Sequence, residues 1–311
     1  MRYPEPLPNE LRGKPLNARL LREHHVAVSR LQRDDIVTLG SGIYLEREAA
    51  QVLDSEGLYR ARAFGLVGEF PGSWLSHTTA VRLRGLPLSA KRDDVVHLSV
   101  PSTQRNPVRR QGVAGHRATA YRDEVQYFRG VPVSAAHRMW GESAAEISVE
   151  ALTVLGDSLV RRPRPRFEKR TEPWTTIEAL RMVVGRHRRA PGRARARAAA
   201  DLIRVGADSA QETLLRLAIL RAGLPEPELQ VPADPRRPRS PCADLGYPYW
   251  RIAIQYDGAC HFDPERAKRD RRVDRHFHAR GWTVLRYFDA DARDGFRCAV
   301  REIGQTLNLH R

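Results

Sequence analysis

Cysteine is scarce: Cys242, Cys260 and Cys298 are the three in the chain, and no Cys-x-x-Cys pair occurs among them. That spacing excludes a zinc ribbon and a dithiol redox motif; buried free thiols in a reducing cytosol are expected, without a disulfide. No run of 18 apolar residues exists, so no helix is expected to span a membrane. The opening residues MRYPEPLPNELRGKPL lack the apolar core of a secretory leader, and a cytoplasmic location is expected. Acidic charge is in deficit. The 37 Asp and Glu face 53 Lys and Arg, a formal net charge of +16 that draws a chain towards polyanions, nucleic acid first.

The hydrophobic fraction of 41% supports a core, and 311 residues suffice for two or three domains. Residues 1–47 begin with a polar, Pro-rich stretch. A short helix capped by Asn17 follows, then a helical stretch near Ser29, then a hairpin, Ile36–Leu39 and Ile43–Leu45, turned by Gly40-Ser41-Gly42. That order is winged-helix-like, and it sets Arg30 and Arg33 near a groove-facing helix. Residues 48–160 read as a mixed α/β module. It opens on a helix over 48–70 with Ala50, Leu53, Leu58, Ala61 and Leu66 as core positions. A helix from Ser76-His77 to Gly85 follows, then strands at 95–100, 112–118 and 125–128. Ser134 is the expected N-cap of a helix through Trp140, and a further helix runs from Ser148 to Leu159. His77, at a helix start, reads as a cap or packing residue. Residues 161–204 form a basic helical linker whose densest patch holds Arg188, Arg189, Arg193, Arg195 and Arg197, suited to a phosphate backbone.

Residues 205–311 carry the chemistry. Ser209 and Glu212 have capping-box spacing at a helix start. Arg251 to Asp257 alternates, which puts Gln255 and Asp257 on one face of a strand. A hairpin to the preceding run brings Asp244 close, Gly258 allows a turn, and His261 can fold back over the same spot. Oxygen ligands with an imidazole, held on strands, suit a hard divalent cation and an activated water. Asp263-Pro264 then starts a basic helix bearing Arg269 and Arg272. Gly281 stops that helix, a strand follows from Trp282 to Tyr287, and a final helix runs from about Asp291 to Leu307.

Taken together, Glu212, Asp244, Gln255-Tyr256-Asp257-Gly258, His261 and Gly281-Trp282-Thr283-Val284-Leu285-Arg286 resemble the Vsr-like branch of the PD-(D/E)XK nucleases, most closely the bacterial domain of unknown function 559. The N-terminal Gly-x-Tyr strand and the Ser76-His77-x-x-Ala80 run resemble AbiEi-type antitoxins. The first resemblance implies a restriction-endonuclease-like α/β domain. In it Asp244, Asp257 and Gln255 would hold Mg²⁺ or Mn²⁺, His261 would orient or deprotonate water, and Glu212 would stand behind them in DNA phosphodiester hydrolysis. Gln255 departs from the Glu of many relatives; it is neutral, cannot serve as a base, and lowers the ligand charge. The alternative is a non-catalytic DNA-binding regulator, antitoxin-like, on a degenerate nuclease fold. A protein that binds a toxin partner ranks third.

Overall fold

The computed structural model describes residues 6–88, 94–164, 168–258 and 264–309, apart from the side chains of 264–270 and 309. The chain is mixed α/β and divides into two compact units: residues 1–147 with 185–193, and 148–184 with 194–311. Among the described residues no helix is long and apolar enough to cross a membrane.

In the first unit α1 (Ala18–Glu23) starts at Asn17, whose side chain accepts the Leu20 N–H at 2.7 Å. The helix expected near Ser29 is a 3₁₀ turn, Val28–Gln32, with no side chain capping its start. Strands β1 (Ile36–Gly40) and β2 (Ile43–Glu46) form the expected antiparallel hairpin, with Ser41 and Gly42 at positive φ. The single helix expected over 48–70 is two: α2 (Arg47–Gln51) and α3 (Ser55–Glu69). Asp54 separates them by accepting the Gly57 N–H at 2.7 Å, an N-cap that restarts the helix, and Leu53 is left 37% exposed rather than in the core.

A five-stranded sheet follows: β3 (Trp74–Leu75), β4 (Val96–Pro101), β5 (Val113–Ala118), β6 (Val125–Phe128) and β7 (Val131–Ser134), in the order β5-β4-β3-β7-β6. The β4–β5 and β3–β7 pairs are parallel, the other two antiparallel. Helix α4 (His77–Leu83) connects β3 to β4, and α5 (Ala136–Ser143) follows β7. Ser134 does not cap α5; it ends β7, and its hydroxyl donates to Glu142 at 2.7 Å. The interior of this unit is markedly polar. Arg138, 3% exposed, bonds the fully buried Glu124 and also reaches Glu142 at 2.7 Å. Such a network is tolerated only when its members are hydrogen-bonded to one another.

The second unit opens with α6 (Val149–Val160), capped by Ser148 through the Ala151 N–H at 3.1 Å. Next come α7 (Ile177–Arg186), where Thr176 accepts the Ala179 N–H, then α8 (Arg193–Leu202) and α9 (Ala210–Arg221). The sheet comprises β8 (Glu228–Pro232), β9 (Cys242–Tyr247), β10 (Ile252–Asp257) and β11 (Thr283–Phe288), ordered β11-β10-β9-β8. Helix α10 (Pro264–His278) joins β10 to β11, which pair in parallel; the other pairs are antiparallel. Where one final helix was expected, Gly295 and Phe296, both at positive φ, separate α11 (Asp289–Arg293) from α12 (Arg297–Leu309).

Alternation along β10 sorts its side chains into two cores. Ile252 and Ile254 pack with Leu245, Leu285 and Tyr287, and with Leu215 and Ile219 of α9 and Ile303 of α12. Ala253 packs with Ala243 and with Phe277 of α10. Full burial of each large aliphatic side chain contributes about 1.5–3 kcal/mol, so the sheet is fixed from both faces. The thiols of Cys242 and Cys298 are exposed, contrary to the expectation of burial: Cys242 is the first residue of β9 and Cys298 lies in the first turn of α12.

Candidate metal centre at the ends of β9 and β10

Helix α9 carries Glu212 and is anchored from below. Arg216, fully buried, bonds Asp157 of α6 at 2.8 Å and the Leu202 carbonyl at 2.9 Å; Thr213 donates to the same Asp157 oxygen at 2.9 Å. At the helix start Ser209 accepts the Glu212 N–H at 3.2 Å, and the Glu212 carboxylate accepts the Asp208 N–H at 2.8 Å. This is the capping box displaced by one residue, because the Glu side chain reaches past the cap to the residue before it. Glu212 is only 5% exposed.

The hydrogen-bonded ladder between β9 and β10 pairs Ile252 with Tyr247, Ala253 with Gly246 and Ile254 with Leu245. At the next position a side chain takes over. Asp244 accepts the backbone N–H of Tyr256 at 2.8 Å, which ties its carboxylate to β10 between Gln255 and Asp257. Gln255, 8% exposed, donates its amide N–H to the Cys242 carbonyl at 3.3 Å, so its amide oxygen turns the other way. Asp257 is ion-paired with Arg286 of β11, which also reaches Asp274 of α10 at 2.6 Å.

The electrostatics are those of crowded carboxylates. Burial, and then the charge of Asp244, push Glu212 up to about 7. Burial lifts Asp244 to about 6, with Asp257 and Asp208 adding repulsion against the Tyr256 N–H bond that favours its ionised form. Arg164 offsets part of this: it is paired with Asp208, donates to Gln230 at 3.1 Å, and lowers Asp244 by its charge. Carboxylate and amide oxygens are the donor types that a hard divalent cation takes, but among the described residues Glu212, Asp244 and Asp257 do not form a set of three ligand atoms within 4.8 Å of one another.

The structure thus sets Asp244 within electrostatic reach of both Glu212 and Asp257, and its Tyr256 bond lies between Gln255 and Asp257. His261 lies outside the described residues, as do Cys260 and the side chain of Arg269. Arg272 is exposed on α10, beside Arg271, Asp274, Arg275 and His278, which line a shallow groove. Arg188, Arg189, Arg195 and Arg197 are exposed and Arg193 is half-buried. In the first unit Arg33 is exposed, whereas Arg30 faces inward: it is 9% exposed and its guanidinium grips Asp35 with bonds of 2.7 and 2.5 Å. The sequence reading missed Arg164 and Asp208 at this centre. Both sit in runs whose composition says loop, and no spacing indicates which Arg returns to the sheet. It read His77 only as a cap or packing residue, whereas the fold brings it together with His97 and His116.

No protein-family model matches the chain, and no curated protein matches it.

Proposed function

We propose that the second unit is a metal-dependent phosphodiesterase of the Vsr-like endonuclease type acting on DNA. The observation that carries this reading is the fixing of Asp244 to the Tyr256 N–H, which holds its carboxylate beside Asp257 on β10, with Asp244 and Glu212 both raised first by burial and then by neighbouring acidic charge. A bound Mg²⁺ or Mn²⁺ would supply Lewis-acid stabilisation of the charge that builds on the phosphorus oxygens. Asp244 and Asp257 would be its anionic ligands and the Gln255 amide oxygen a neutral one. Arg286 holds Asp257 in place through its second bond to Asp274. Glu212, held near 7, takes or holds a proton at its carboxylate close to neutral pH. The exposed arginines of α10 and the net charge of +16 supply phosphate attraction.

The test is nicking of supercoiled DNA with Mg²⁺ or Mn²⁺. Wild-type activity should vanish with chelator and fall at least about 100-fold in Asp244→Asn, the scale of losing a group that stabilises the transition state. Equal cutting by the variant would sink the reading.

A second reading rests on Gln255 and on the Asp257–Arg286 pair, which lower the charge offered to a cation. In that reading the fold is an antitoxin-like, cytoplasmic DNA-binding regulator with a winged-helix-like start, and a toxin is a further possible partner. Metal-independent gel-shift of duplex DNA by the full chain, without nicking, would favour it.

A further inference from the structure

Far from the carboxylates in sequence, and wholly within the first unit, three histidines converge. His77 opens α4, His97 lies in β4 and His116 in β5. The parallel register of β4 and β5 sets Ser99 opposite His116, which brings His116 one pleat from His97. One ring nitrogen from each histidine lies within 4.8 Å of the other two. The rings are nearly parallel: His77 and His116 are stacked at 3.8 Å between centroids, and His97 stands 5.4 and 5.2 Å from them. His97 Nδ1 and His116 Nε2 are 3.0 Å apart. Two imidazole nitrogens sharing one tetrahedral ion, each about 2.0–2.1 Å from it, would be roughly 3.3 Å apart.

The surroundings hold the rings in place. Ser76 Oγ lies 2.9 Å from His77 Nδ1 and accepts from Ser99 Oγ at 2.7 Å. Glu142 accepts the backbone N–H of His77 at 3.1 Å and lies 4.0 Å from its Nδ1. Glu146 Oε1 is 3.2 Å from His97 Nδ1, so a carboxylate oxygen stands beside any ion held there, and its other oxygen accepts from Thr78 at 3.0 Å. Carboxylates and hydroxyls around a histidine set are the outer partners that fix ring orientation at metal sites. His77 itself has φ 51, a left-handed backbone that a non-glycine residue seldom adopts.

We propose that His77, His97 and His116 form a binding site for one transition-metal ion of the Zn²⁺ class. Imidazole nitrogen selects Zn²⁺, Co²⁺, Ni²⁺ or Cu²⁺ over Mg²⁺, so this site is chemically distinct from the carboxylate centre of the second unit. It ties α4 to two strands of the sheet and does not depend on the nuclease reading. Three protein ligands leave a fourth position for a water, with Glu146 beside His97 as an outer partner.

The test uses the full chain stripped with chelator and then titrated with Co²⁺ in excess Mg²⁺. The expected result is one equivalent bound, with the visible absorption of a four-coordinate nitrogen-rich site, displaced by Zn²⁺. His97→Gln and His116→Gln should each weaken binding at least about 10–100-fold while keeping the circular dichroism of the wild type. Asp244→Asn should bind Co²⁺ at this site as the wild type does. As a measurement independent of folding in the variants, Zn²⁺ added to the wild type should shift the imidazole nitrogen resonances of three histidines. No Co²⁺ absorption and no imidazole shift would overturn the proposal, leaving a metal-free, hydrogen-bonded stack of neutral histidines.

Discussion

Asp244 shows how one side chain serves two purposes at a cost. Its carboxylate completes the β9–β10 pairing by accepting the Tyr256 N–H, and it faces the repulsion of Asp257 and Asp208 while raising Glu212. A carboxyl whose folded pKa lies above its unfolded value favours folding fully below the unfolded pKa and loses that contribution as pH rises through the folded one. Glu212 and Asp244 both behave so, over a window from about pH 4 to about 7. Without divalent metal, Asp244→Asn keeps an oxygen for Tyr256 and removes a charge. Its melting midpoint at pH 8 should rise by about 2–4 °C, the shift that about 1 kcal/mol makes in a unit of this size. The gain should shrink at pH 5, and Mn²⁺ should stabilise the wild type more than the variant at pH 8; melts in chelator and in Mn²⁺ at both pH values check this. Gln255→Glu works in the opposite sense. Calorimetry should give at least about tenfold tighter Mn²⁺ binding, since an added anionic ligand strengthens a hard-cation site, and a lower midpoint in chelator.

Helix α9 is positioned by buried charge rather than by apolar packing alone. Arg216 and Asp157 are 0% and 1% exposed at the side chain, and Thr213 and the Arg204 N–H also bond Asp157. Removing one partner strands the other, which costs about 3–5 kcal/mol. Arg216→Ala should therefore lower the denaturant midpoint strongly in equilibrium unfolding, and Arg216→Met paired with Asp157→Leu should recover most of the loss. At this scale much was legible beforehand. Asn17 and Ser209 announced their helices because cap chemistry is local. The alternation from Ile252 to Asp257 and the turn glycines of the first hairpin were equally local. The break at Asp54 was hidden by the apolar Val52-Leu53, which continues a helical pattern although both side chains end up in water. Arg30 was read as groove-facing because its partner Asp35 lies across a turn that no periodicity predicts. The nearness of Asp244 to Asp257 was legible because β9 and β10 are adjacent in sequence. The three histidines were not, because a parallel pairing of β4 with β5 brings them together and no sequence spacing encodes it.

For the whole chain the dominant quantity is the charge of +16. Exposed Arg188, Arg189 and Arg197 are among the side chains that would meet phosphates. Each phosphate contact contributes a slope of about −0.9 to the logarithm of DNA affinity against the logarithm of salt. The triple variant with Gln at these positions should bind duplex DNA more weakly at low salt, with a slope shallower by up to about 3; fluorescence anisotropy across a salt series reads both. An unchanged slope would assign these arginines to solvation alone.

The parallel pairing of β10 with β11 has a consequence for biogenesis. Glu212, Asp244, Gln255 and Asp257 all precede α10, yet Arg286, the counter-ion of Asp257, arrives only after that helix has crossed back to the sheet. During synthesis the acidic residues therefore emerge first, on a sheet whose β10 edge is still unpaired, and the cation that steadies them emerges last. Non-local pairings of this kind form late in folding. Asp257 thus gains its counter-ion only when the strand from Thr283 closes the β10 edge, and a chain released before that point carries the acidic residues without that pairing.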